Sequence, residues 1–120
     1  MRRRTLPLLA LLIALPGCLS EGPTTRERRH AVTVTLDDYF IRPQNLSVPG
    51  GRTTLTVVNR GRLGHTLRIR IHDTVVLAYT AIQPGGRRTR SFHLRRGRYT
   101  MFDPIGNDEE LGMHGTLVVR

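Results

Sequence analysis

The sequence predicts an all-β domain, a Greek-key β-sandwich of seven to eight short strands that follows an export address. Three observations predict it. Apolar and polar residues alternate at period two in one segment after another, turn formers are dense with 12 Gly and 7 Pro, and no segment carries apolar residues at helical spacing. Aromatic residues make up only 5% of the 120 and Trp is absent, so a small core must be filled by aliphatic side chains.

The chain opens on Met1-Arg2-Arg3-Arg4, followed by an apolar run from Leu6 to Leu15 broken only by Pro7. That run falls short of the roughly 20 residues a bilayer-spanning helix needs, and with its basic start it reads as a signal peptide over residues 1–17. Its end, Leu15-Pro16-Gly17-Cys18, resembles a bacterial lipobox. The resemblance implies that Cys18 is diacylated, becomes the new N-terminus and anchors the protein to the extracytoplasmic face of a bacterial membrane. Residues 18–30 are polar, turn-rich and aperiodic, which predicts a flexible lipidated tether, and residues 31–120 form the domain.

Within the domain, Val32, Val34 and Leu36 share one face of the first strand, which Asp37 and Asp38 end. A short strand around Asn45 to Val48 precedes the Pro49-Gly50-Gly51 turn, and Leu55 and Val57 are in phase along Thr53 to Asn59. His65 opens a strand in which Leu67, Ile69 and Ile71 face one way and Thr66, Arg68 and Arg70 the other. Further strands are expected at Thr74–Ala81, Arg87–Leu94 and Arg98–Phe102, where Tyr99, Met101 and Asp103 share a face, and at Gly115–Arg120. The segment from Pro104 to His114 reads as a loop carrying the charge run Asp108-Glu109-Glu110.

The formal charge is +10, and all 19 basic residues are Arg. Losing Arg2, Arg3 and Arg4 with the signal leaves 16 against 9 acids, a net +7. Without interleaved aromatics the arginines predict a solvated surface, with anionic lipid or an envelope protein as partner rather than nucleic acid. Cys18 is the only cysteine, so the monomeric domain has no internal disulfide and no thiol for catalysis or metal binding. No pairing of nucleophile and base and no phosphate loop is present, so the sequence does not predict an enzyme.

Ordered landmarks run along the domain: Phe40 and Pro43, Leu46-Ser47-Val48-Pro49-Gly50-Gly51, Leu55-Thr56-Val57-Val58-Asn59, Gly64-His65-Thr66-Leu67, Pro84-Gly85-Gly86, Gly97-Arg98-Tyr99-Thr100 and Gly112-Met113-His114-Gly115-Thr116-Leu117. In them the chain resembles bacterial cupredoxin-like domains, including those of iron-uptake lipoproteins. The resemblance implies copper ligands at His65 and Met113, while the family's cysteine and second histidine fall on Asp103 and Asp108. Blue-copper electron transfer needs a thiolate with two imidazoles, so that role is not expected here. Two readings stand. His65, Asp103 and Asp108, with Met113 as a weak fourth donor, form a pale or colourless Cu(II) or Zn site, or the site is degenerate and the domain is a metal-free structural or interaction module of the envelope. Met113 also suits the end of the core, His114 faces outward if Met113 faces inward, and His30, His72 and His93 read as surface residues.

Overall fold

The computed structural model describes residues 22–120, so the signal peptide and Cys18 lie outside the described residues. Ten strands and one helical turn follow in order: β1 (Thr24–Arg26), β2 (Ala31–Asp37), β3 (Phe40–Arg42), β4 (Asn45–Val48), β5 (Gly51–Asn59), β6 (Arg68–Ile71), β7 (Thr74–Ala78), β8 (Arg87–Leu94), β9 (Gly97–Phe102), α1 (Asp108–Leu111) and β10 (His114–Val119). They form two mixed sheets, one ordered β1-β4-β10-β9-β6-β7 and the other β3-β2-β5-β8. The expected all-β sandwich is the architecture found, with ten strands among the described residues where seven to eight were expected.

The core lies between the sheets and is aliphatic, as the composition requires. Val34, Leu36, Leu55, Val57, Leu67, Ile69, Met101 and Met113 are each 0% exposed. In β2 and β5 every second residue turns inward, and their parallel register sets Val32 beside Leu55 and Val34 beside Val57. Burying side chains of this size contributes about 1.5–3 kcal/mol each before the entropy cost of ordering them. On the outer face, cross-strand hydroxyl pairs join Thr54 to Ser91 at 2.8 Å and Thr56 to Thr89 at 2.9 Å.

Several elements differ from their sequence reading. Thr24–Arg26, expected as flexible tether, adds a parallel strand beside β4 because that edge offers unpaired backbone groups, and alternation cannot reveal a three-residue strand. His65 does not open a strand: it makes an isolated bridge to Ile82, and the ladder begins at Arg68. The loop after Phe102 contains a helical turn too short to show periodicity.

Apart from the link at residues 43–44, where the chain passes from one sheet to the other, the register places the turns at two poles. β2, β5, β7 and β9 run toward the pole holding residues 38–39, 60–67, 79–86 and 103–113; residues 27–30, 49–50, 72–73 and 95–96 and the C-terminus lie at the other.

Candidate metal centre

Three loops meet at the first pole around His65, whose ring is 0% exposed. Asn59, at the end of β5, organises the approach: its amide donates to the carbonyls of Leu63 (2.8 Å) and Ile82 (2.9 Å) and accepts from the Gly61 N–H (2.8 Å). His65 then exchanges backbone bonds with Ile82, at 3.2 and 2.7 Å, which fixes its Cα.

Both ring nitrogens meet carboxylates. Nδ1 lies 2.7 Å from Asp103 Oδ2 and 3.3 Å from Asp108 Oδ2, and Nε2 lies 2.8 Å from Asp38 Oδ1. Asp103, fully buried, turns Oδ1 back to accept from the Ile105 N–H at 3.0 Å, which leaves Oδ2 for the imidazole. Asp108 opens α1 and is buried, while the next residue, Glu109, bonds Arg70, whose guanidinium stacks 4.2 Å from the Phe102 ring centroid. Asp38 occupies the two-residue turn between β2 and β3 and also accepts from the backbone N–H groups of Arg62 (2.9 Å) and Leu63 (3.3 Å).

Two glycines make this convergence possible. A Cβ at Gly61 would stand 2.3 Å from Asp38 Oδ1, and one at Gly112, with φ +128, would stand 2.7 Å from the Tyr39 carbonyl.

The charges are mutually dependent. Burial disfavours a charged imidazole, but the bonds to Asp38 and Asp103 and the negative charge of Asp103 and Asp108 outweigh it, so the His65 pKa is raised. Asp108 is also raised, first by burial and then by the charge of Asp103, against the pull of His65. Asp38 is lowered, chiefly by the Arg62 N–H and then by His65.

Of the residues singled out in the sequence, His65, Asp103 and Asp108 come together: their ligand atoms all lie within 4.8 Å of one another, and all three residues are buried. Met113 is joined to both acids through the backbone, accepting from the Asp103 N–H and donating to the Asp108 carbonyl, each at 3.0 Å, while its side chain belongs to the hydrophobic core. Of the charge run, Glu110 is solvated, Glu109 pairs with Arg70 and Asp108 is buried in the cluster. His30, His72, His93 and His114 are exposed. Asp38 was missed: its only sequence signal was ending a strand, and a contact across 27 positions leaves no spacing to read.

The side chains brought together are one imidazole and carboxylates. This set does not fit a blue-copper ion, because the cluster holds neither a thiolate nor a second imidazole. It does fit a divalent ion taking nitrogen and oxygen ligands. A neutral imidazole carries one N–H and one lone pair. With carboxylates at both nitrogens, the ring either holds both protons or presents the Nδ1 lone pair to another cation.

An all-β sandwich with a buried histidine and carboxylates at one pole defines a class of small binding domain. A profile of the family described as "Cupredoxin-like domain" matches residues 8–119. The chain belongs to this family. Its fold is similar to dithionite-reduced auracyanin from the photosynthetic bacterium Roseiflexus castenholzii, with a TM-score of 0.70 at 16% identity, covering 78% of this chain and 99% of that one. Rusticyanin from Thiobacillus ferrooxidans gives 0.63 at 19% identity, covering 82% and 83%. A purple cupredoxin from Nitrosopumilus maritimus gives 0.58 at 19% identity, covering 73% and 98%. No curated protein sequence matches the chain.

Proposed function

We propose that this chain is a lipid-anchored, extracytoplasmic metal-binding protein and not an enzyme. His65 Nδ1 and the carboxylates of Asp103 and Asp108 would hold Cu(II) or Zn(II), with Met113 as a weak further donor. The observation that carries the reading is the orientation of His65. Asp38 Oδ1 stands 2.8 Å from Nε2, placed to accept its N–H as carboxylates do beside metal-bound histidines, an arrangement that would leave the Nδ1 lone pair facing two buried carboxylates. The bound ion would supply positive charge between those groups. Without a thiolate, the site supports neither the intense colour nor the electron path of blue copper.

A metal-free module is the second reading, favoured by one observation. With a proton on Nδ1 the His65–Asp103 bond closes at 2.7 Å, and among the described residues no buried side-chain polar atom lacks a partner. Metal analysis and titration of the purified domain decide between them. Stoichiometric Cu(II) or Zn(II) uptake that His65→Ala abolishes supports the metal centre, whereas weak uptake equal in both proteins supports the module.

The anchor rests on the Leu15-Pro16-Gly17-Cys18 sequence. Among the described residues no helix is long and apolar enough to cross a membrane. Cys18→Ser should release the protein from membranes or leave the precursor uncut, and unchanged detergent partitioning would exclude acylation.

A further inference from the structure

The pole opposite His65 is built from short turns. The backbone carbonyl of His30 accepts from Thr54 at 2.7 Å, Gly51 stands opposite Leu94, Gly97 opposite Val119, and the Arg120 N–H bonds Val48 at 3.0 Å. These pairings bring Arg28, Arg29, Arg52, Arg95 and Arg96 to one end of the sandwich, all exposed. None of these five guanidinium groups has a hydrogen bond or ion pair among the described residues. The acids of the same pole are Glu27 and Asp73, whereas Asp37, Asp38, Asp103, Asp108, Glu109 and Glu110 sit at the other. Exposed arginines stand at both poles, with Arg60, Arg62, Arg68, Arg87 and Arg88 at the His65 end, but most of the acids do not. The net positive charge is therefore greatest on the face turned away from the carboxylate cluster.

Unpaired guanidinium groups on separate turns, without a fixed spacing and with only Glu27 and Asp73 as acidic counter-charge, suit a partner that is a continuous anionic surface. We propose that this pole docks on the headgroups of anionic phospholipid, leaving the His65 pole facing away from the bilayer. Nucleic acid fits less well. Among the described residues no Phe, Tyr or Trp is exposed at this pole for bases to stack on, since exposed Tyr39 and Phe40 lie at the opposite one, and no helix stands there to enter a groove. A membrane-docked basic pole presents the carboxylate site to solvent and to soluble ions rather than burying it against lipid. The proposal depends neither on metal binding nor on acylation of Cys18.

The experiment uses the chain from Leu19 onward, which lacks Cys18 and keeps every core residue from Val32 to Val119. It is sedimented with vesicles of phosphatidylcholine alone and of phosphatidylcholine mixed with phosphatidylglycerol. Binding to the mixed vesicles only, weakening as ionic strength rises, is the expected result. Arg95→Gln with Arg96→Gln should lower that affinity about 25-fold, at about fivefold for each charge lost from the surface. Arg60→Gln with Arg62→Gln, an equal charge change at the other pole, should leave it nearly unchanged. All four residues are exposed, and circular dichroism checks that both variants remain folded. Equal binding to uncharged vesicles, equal losses in the two variants, or tighter binding to duplex DNA than to vesicles of matched phosphate content would each overturn the proposal.

Discussion

Replacing His65 tests whether the cluster, rather than the strands alone, holds the three loops together. His65 and Asp103 are both 0% exposed and 2.7 Å apart, so His65→Ala removes a charge-assisted bond and leaves a buried carboxylate without its cation. A hydrogen bond to a charged group is worth about 1.5–3 kcal/mol, and breaking a buried ion pair by deleting one partner costs about 3–5 kcal/mol. The second figure already contains the first. Urea unfolding of chelator-treated protein near neutral pH should therefore show a loss of about 3–5 kcal/mol. Made in an Asp103→Asn background, the same change should cost less by about 1–3 kcal/mol, the coupling expected of groups in contact. The sign of the pH dependence follows from the shifts. His65 has a raised pKa, so its contribution is present in full below the ordinary imidazole value and fades as pH rises through the folded value. In the variant, the unpaired carboxylates take up protons as pH falls, which relieves the penalty on the acid side. The stability gap should be widest between these limits. A gap under about 1 kcal/mol near neutral pH, with no coupling to Asp103, would refute the argument.

Zn(II) affinity should rise with pH through the raised imidazole pKa, because Nδ1 must lose its proton to bind; competition with a chromophoric chelator gives the profile, and a flat one contradicts the site. Asp38→Asn weakens a hydrogen bond that favours imidazolium, so the same profile should move to lower pH. Asp103→Cys with Asp108→His should turn intensely blue when Cu(II) is added, while wild type stays pale; a folded, monomeric, copper-loaded variant without a thiolate charge-transfer band would show that these positions do not face His65. Gly61→Ala sets a Cβ 2.3 Å from Asp38 Oδ1 and should cost about 1–3 kcal/mol by thermal or urea unfolding; no loss would mean that the two loops are not tightly apposed.

The sandwich was legible because half-buried strands write their burial into alternation, as in Val32-Thr33-Val34-Thr35-Leu36. β1 and the turn of α1 were not, because three or four residues are too few to carry a period. In the site, His65, Asp103 and Asp108 emerged from their places between landmarks, since the fold sets where those loops return. Asp38 did not, because it reaches His65 through the tertiary meeting of a hairpin turn with the segment after β5, and its neighbour Asp37 is its equal in composition. Composition alone does not set Asp108 apart from Glu109 and Glu110, and only the helical turn separates it from them.

The carboxylates also join the loops around His65 without a thiolate. In a blue-copper protein the ion cross-links the loops that carry its ligands. Here His65 touches Asp38, Asp103 and Asp108, so the same loops are joined whether or not an ion is bound. Three ionised carboxylates around a neutral imidazole carry −3. Protons on His65 and Asp108, the two groups whose pKa values are raised, bring this to −1, and a divalent ion in place of those two protons also gives −1. Protonated and metal-bound states are thus matched in charge. If an ion binds there as proposed, its uptake would be an exchange against protons that pH can drive in either direction.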